Sequence, residues 1–204
     1  MNEPSDKGVV YVVDDDRGVR ESLSLLLKSA GYENETFESA NAFLKAFRPN
    51  RVACLVADIR MPGMSGLELQ QELAAREVEI PIIFITGHGD VPIAVGAMQA
   101  GARDFLTKPF RHADLLDRVE KALAEARQGF EDRQKLRDLR ARYASLTPRE
   151  AEVMNLVVGG SANKVIAMDL GVSQRTVELH RARVMQKMAV RSLAELVRQA
   201  EMLK

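Results

Sequence analysis

Side chains able to do chemistry stand directly behind short apolar runs. Asp14, Asp15 and Asp16 follow Val9-Val10-Tyr11-Val12-Val13, and Asp58 follows Val52-Ala53-Cys54-Leu55-Val56-Ala57. Thr86 closes Ile80-Pro81-Ile82-Ile83-Phe84-Ile85, and Lys108 follows Asp104-Phe105-Leu106-Thr107. Carboxylates delivered from separate strands repel one another unless a cation lies between them. Mg²⁺ suits that place, because it takes one or two carboxylates and retains waters. An oxygen nucleophile, a metal, a hydroxyl and a cation are together what phosphoryl transfer asks for. Asp58 stands alone after its strand and is the expected nucleophile, since a carboxylate can form an acyl phosphate. Lys108 would supply a point charge and Thr86 a hydrogen bond to the phosphoryl group. Each residue alone has a plainer reading, since an Asp behind a strand is commonly a helix cap or turn residue. Several strand ends aligned in this way are much harder to explain so.

The elements that must position these residues can be traced from periodicity. Fully apolar, β-branched runs of this length suit strands covered on both faces, as in a parallel sheet. Helical patterns lie between them: Val19, Leu23, Leu26 and Leu27 ending at Gly31, then Leu67, Leu69 and Leu73, then Val91 to Ala100 ending at Gly101. Alternating βα units imply a five-stranded doubly wound α/β sheet, whose crevice lies outside the carboxyl ends of the strands. From Asp114 to Tyr143 the chain is charged, with Leu115, Leu116, Val119 and Leu123 at helical spacing and Leu136 and Leu139 continuing more sparsely. This predicts a last helix of the α/β domain running into a helical linker, whose leucines form either a weak dimer seam or part of a solvated spacer. Beyond Ser145 every pattern is helical. The expected division is residues 1–124, a linker at 125–143, and a smaller all-α domain at 144–204.

In that last domain Thr147-Pro148-Arg149-Glu150 predicts a helix start, with Thr as cap, Pro at the first position and Glu three residues on. A helix then runs to Gly159-Gly160, and a second from near Ser161 to Gly171. A third is capped by Ser173 and covers Gln174 to Met188, and a fourth covers Arg191 to Met202. The segment from Lys164 to His180 has the outline of a helix-turn-helix, with Gly171 at the turn and Val172 as a staple. On the third helix Val177, Val184 and Met188 share an inward face. Arg175, Glu178, Leu179, Ala182 and Arg183 lie on the other, as a helix entering the major groove requires.

The net charge of zero hides an asymmetry. Residues 1–125 carry 14 basic and 20 acidic side chains, whereas residues 126–204 carry 15 basic and 9 acidic. A positive C-terminal half suits a polyanion partner, although charge alone does not decide it. One cysteine excludes an internal disulfide and argues against a thiolate metal cluster. No signal-peptide pattern and no apolar stretch of roughly 20 residues is present, so a cytoplasmic protein without membrane contact is expected.

Residues 8–124 resemble a bacterial receiver domain of the CheY-like, flavodoxin-type architecture. The resemblance rests on Val13-Asp14-Asp15-Asp16, Asp58-Ile59-Arg60-Met61-Pro62-Gly63-Met64-Ser65-Gly66, Thr86-Gly87-His88 and Asp104 to Phe110. It implies that Asp58 takes a phosphoryl group from a sensor histidine kinase. Asp15, Asp58 and the backbone carbonyl of Arg60 would ligate Mg²⁺, and Asp14 would orient a metal-bound water. Thr86 and Phe105 resemble the switch pair, Lys108 would pair with the phosphoryl group, and Lys108–Pro109 is expected to be cis. Arg60 and His88 are placed to screen the acyl phosphate from water.

Residues 144–204 resemble a LuxR/FixJ-type DNA-binding domain, on Leu146-Thr147-Pro148-Arg149-Glu150, Asn163-Lys164, Ile166-Ala167, Ser173 to His180 and Lys187-Met188. The resemblance implies base contacts from Glu178, Leu179, Arg175 and Arg183, and phosphate contacts from Lys164, Thr176, His180 and Lys187. As a whole the chain is similar to FixJ-type response regulators. That implies a homodimer formed on phosphorylation, binding to double-stranded promoter DNA, engagement of RNA polymerase and activation of transcription. The specific expectation is control of nitrogen-fixation genes by a FixL-type kinase. Two rivals stand beside it. An aspartyl-phosphate phosphatase usually needs a second acid two residues after the nucleophile, where this chain has Arg60. A phosphorylation-independent DNA-binding regulator would use its receiver only for docking a partner.

Overall fold

The computed structural model describes residues 7–87, 96 and 101–203; the helix expected from Val91 to Ala100, and His88, lie outside them. The chain divides into two compact units, Met1–Phe130 and Glu131–Lys204.

In the first unit β1 (Val9–Val13), β3 (Ala53–Asp58) and β4 (Ile82–Thr86) are buried at every residue. They form the centre of an all-parallel five-stranded sheet of order β2-β1-β3-β4-β5. Strands buried on both faces need apolar side chains throughout, which explains their uninterrupted runs. β5 (Asp104–Thr107) and β2 (Glu33–Phe37) are the edges. β2 has the sequence Glu-Asn-Glu-Thr-Phe and is largely exposed, so no apolar run marks it. Charge on an edge strand guards against pairing with another chain.

Alternation along the strands supplies two cores. Val9, Tyr11 and Val13 point into one, with Phe43 from α2 (Ala40–Ala46) and Leu69 and Leu73 from α3 (Gly66–Ala75). Val10 and Val12 point into the other, with Leu23 and Leu27 from α1 (Arg17–Ser29) and Leu115, Val119 and Leu123 from α4 (His112–Ala144). Phe43 anchors the first core. Its ring lies 5.4 Å from Tyr11, 5.6 Å from Phe37 and 5.2 Å from Phe47, at edge-on or tilted angles that aromatic quadrupoles favour.

The second unit is helical. α5 (Pro148–Val158), α6 (Asn163–Asp169), α7 (Gln174–Lys187) and α8 (Leu193–Met202) share a core of Val153, Met154, Val157, Ile166, Val177, Val184, Met188 and Leu196. Leu139 is buried in that core and Tyr143 packs against it. The last turns of α4 therefore carry anchoring side chains, and Leu139 is neither a seam residue nor a solvated one. The turn between α6 and α7 uses Gly171 at φ +64°, a left-handed conformation that side chains disfavour.

Thr147 caps α5 through a reciprocal box: Glu150 N donates to Thr147 Oγ1 at 3.3 Å, and Thr147 N donates to Glu150 Oε2 at 2.9 Å. The buried Glu150 carboxylate also accepts from Lys187 Nζ at 2.6 Å. Those hydrogen bonds, from Lys187 first and then from Thr147 N, hold its carboxyl down at about 2 against an ordinary 4.5.

Phe43→Ala should lower the stability of the first unit by about 3–5 kcal/mol, the usual loss for deleting a buried ring, measured by urea unfolding. A depressed carboxyl pKa stabilises the fold above the unfolded value, and that stability is lost as pH falls through the folded one. The second unit should therefore lose stability between about pH 4.5 and 2, and Glu150→Gln should flatten that slope in melting curves.

Candidate functional site

Parallel registry puts the reactive residues side by side. Val13 pairs with Ala57, so Asp14 and Asp58 leave neighbouring strand ends together. Asp58 pairs with Ile85, and Thr86 with Thr107, so Thr86 and Lys108 emerge next along the same rim. Lys108 N donates to Thr86 O at 2.7 Å, and the Lys108–Pro109 peptide is cis.

Asp14 is 1% exposed and Asp58 9% exposed. Lys108 Nζ lies 3.0 Å from Asp14 Oδ2 and 3.1 Å from Asp58 Oδ1, so one ammonium serves both carboxylates. Burial pushes the Asp58 carboxyl above its ordinary range, opposed by the hydrogen bond and charge of Lys108 and aided by the charge of Asp14. Burial also works against the charge of Lys108, but the hydrogen bonds that it donates to Asp14 and Asp58 outweigh it and raise the Lys108 pKa. The other oxygens are engaged too: Asp14 Oδ1 accepts from Asp16 N at 2.8 Å, and Asp58 Oδ2 from Arg60 N at 3.2 Å.

The three consecutive acids divide their tasks. Asp14 is buried in the site, Asp15 is exposed at the rim, and Asp16 caps α1 by accepting from Gly18 N and Val19 N. Thr86, 1% exposed, donates its hydroxyl to Gly87 O at 3.3 Å, and half-buried Phe105 packs against the first core. Among the described residues no group of three His, Cys, Asp or Glu converges tightly enough to hold a metal alone. The donors are nonetheless all oxygen, and Asp14, Asp15 and Asp58 outnumber the single ammonium. That chemistry fits a hard divalent cation that keeps part of its water shell, as Mg²⁺ does.

Two supporting residues carried no chemical signal in the sequence. Arg20 donates from one Nη1 to Asp14 O at 2.8 Å and Asp15 O at 2.9 Å. Gly66 opens α3 so close to β3 that an added Cβ would stand 2.3 Å from Asp58 O. Its place in the motif spanning Asp58 to Gly66 was legible, but not the reason for it.

In the second unit α7 turns Val177, Val184 and Met188 inward and leaves Arg175, Glu178, Leu179 and Arg183 exposed. Leu179 is 51% exposed on that outward face, beside the charged Arg175, Glu178 and Arg183. Lys164 is exposed on α6. Thr176 Oγ1 is 2.9 Å from the capping Ser173 Oγ, and His180 is half-buried. Lys187, expected among the phosphate contacts, is also engaged within the unit. Its ammonium is held by Glu150 and by Ser145 O at 3.0 Å, so it braces the start of α5.

Residues 10–120 match the family model described as response regulator receiver domain, and residues 144–200 that of bacterial regulatory proteins, luxR family. The chain is 47% identical to Nodulation protein W of Bradyrhizobium diazoefficiens, covering 98% of this chain and 88% of that one. It is 48% identical to the response regulator protein TmoT of Ectopseudomonas mendocina, covering 97% and 90%. Against the transcriptional regulatory protein FixJ of Bradyrhizobium diazoefficiens it is 46% identical, covering 95% of each. The solved structure of response regulator StyR superposes with a TM-score of 0.87 at 50% identity, over 95% of this chain and 98% of that one.

Gly66→Ala sets two effects against each other. Alanine favours a helix by up to about 1 kcal/mol over glycine, but the new Cβ must displace the backbone oxygen of Asp58. The clash should win, with a net loss of about 1–3 kcal/mol in thermal unfolding of the first unit.

Proposed function

The chain belongs to the response regulators that join a receiver domain to a LuxR-type DNA-binding domain, and we propose that Asp58 is its phosphoacceptor and that phosphorylation controls DNA binding. The observation that carries this reading is the pair of near-buried carboxylates, Asp14 and Asp58, sharing the ammonium of Lys108 at adjacent strand ends. In the proposed step a carboxylate oxygen of Asp58 attacks the phosphorus of a phosphohistidine on a sensor histidine kinase. A P–O bond forms as the P–N bond breaks, and the leaving imidazole keeps the electron pair and takes a proton. Asp15, Asp58 and the backbone carbonyl of Arg60 would hold Mg²⁺, with Asp14 orienting its bound water. When bound, that ion supplies neutralising charge to the phosphoryl oxygens.

Lys108 balances the acids before transfer and is within reach of the new phosphoryl group afterwards. The Thr86 hydroxyl exchanges its weak bond to Gly87 O for a phosphoryl oxygen, and Phe105 turns further into the core behind it. Switches of this kind need a bistable element biased by the phosphate, and Thr86 with Phe105 is that element. Activity stays at a single transfer with self-phosphorylation from small donors and self-dephosphorylation, because the position of a second acid is occupied by Arg60.

The output is a cytoplasmic homodimer that binds promoter DNA and engages RNA polymerase to raise transcription. α7 enters the major groove with Arg175, Glu178, Leu179 and Arg183 towards bases, and Lys164, Thr176, His180 and Lys187 towards phosphates. The nitrogen-fixation output and a FixL-type kinase rest on resemblance to FixJ alone. Nodulation protein W, TmoT and FixJ match at 47%, 48% and 46% identity, so similarity favours no one pathway.

Acetyl phosphate with Mg²⁺ should convert the wild-type protein to dimers. It should also tighten binding to duplexes selected from random-sequence DNA by the phosphorylated form, about tenfold or more. Asp58→Ala should show neither change. Equal DNA affinity of both proteins in all conditions would overturn the switch and leave the receiver a docking module.

A further inference from the structure

We propose that Arg20 is a positioning residue for the acidic site, fixing the backbone on both sides of Asp15. The inference rests on the reading of Asp15 as a ligand for a divalent cation. Asp15 is exposed, so packing does little to aim its side chain. Its neighbours are tethered by other means: Asp14 N donates to Phe37 O at 3.2 Å, and Asp16 caps α1.

Arg20 supplies what Asp15 itself lacks. Asp14 O belongs to the peptide unit before the Asp15 Cα, and Asp15 O to the unit after it. One guanidinium nitrogen takes both oxygens, at 2.8 and 2.9 Å. Those two peptide planes define φ and ψ of Asp15, and hence the direction in which its carboxylate leaves the backbone. A planar guanidinium is suited to this task because its donors are held in a fixed fork and it is always charged. Arg20 lies on the first turn of α1, whose own N-terminus is capped by Asp16, so the tether is anchored to a rigid element.

Two effects of Arg20 on a bound cation oppose each other. As a charge it repels the metal, so its removal would tighten binding. As a tether it preorganises a ligand, so its removal would loosen binding. Outer residues that orient metal ligands are commonly worth about 10–100-fold in affinity, whereas a part-exposed charge in high dielectric is worth far less. The tether should dominate.

The test is a Mg²⁺ titration of the full-length, unphosphorylated protein, read from backbone amide shifts of residues 14–16, with melting temperature measured in parallel. Arg20→Ala should bind Mg²⁺ about tenfold more weakly than wild type, at an almost unchanged melting temperature. Arg20→Lys, which keeps the charge and offers a single donor group, should fall between the two. An Arg20→Ala protein that binds Mg²⁺ as tightly as wild type, or more tightly, overturns the proposal. So does an Arg20→Lys protein that binds more weakly than Arg20→Ala. If wild type itself shows no saturable Mg²⁺ binding, the reading of the acidic site fails as well.

Discussion

Two carboxylates at the ends of adjacent buried strands would drive those ends apart, and the ammonium of Lys108 is what lets them stay. Asp14 and Asp58 are brought together by sheet register, which is decided by the apolar faces of β1 and β3 and takes no account of charge. Burial raises the cost of each charge, and their mutual repulsion adds to it. Lys108 reaches both because β5 ends beside β4, whose Thr86 carbonyl accepts from the Lys108 amide. One ammonium against two near-buried carboxylates leaves the arrangement poor in positive charge, which suits it to a cation or to any group that redistributes that ammonium.

Around that centre the supporting residues are small in number and specific in task. Gly66 lets α3 approach the carbonyl of Asp58, Asp16 starts α1, and Arg20 ties the loop between β1 and α1 to that helix. The second unit solves a similar problem in a plainer way. Its buried Glu150 is satisfied by Thr147 and Lys187 at once, so a capping motif becomes a clamp between the start of α5 and the end of α7. That clamp holds the half-exposed Lys187 ammonium, while Arg175, Glu178, Leu179 and Arg183 stay exposed on α7.

Long, strongly patterned elements were readable one residue at a time. β1, β3, β4 and β5, the helix-turn-helix and the Thr147 and Ser173 caps all follow from periodicity and cap chemistry, which are local properties. β2 and α2 were not readable: an edge strand exposes most of its side chains, and the 7 residues of α2 lack the helix-turn-helix outline with Gly171 that marked the equally short α6. Leu139 was ambiguous for a related reason. A single leucine in a charged helix looks the same whether it meets solvent, a second chain or its own core, and only the packing of α5 to α8 assigns it to the core.

By itself the sequence determined the strand-end positions of Asp14, Asp58, Thr86 and Lys108, because residue type and period settle where an apolar run stops. It also settled the inward and outward faces of α7, because a helix of known register has only one way to bury its apolar stripe. The tertiary structure decided which partners those residues take. Lys108 between two acids, Lys187 on Glu150, Arg20 on two carbonyls and Gly66 against Asp58 each join segments or atoms whose meeting depends on chain geometry. Beyond the reach of a helix cap, hydrogen-bond partners are fixed by distance in space, and no local pattern of residue types encodes that distance.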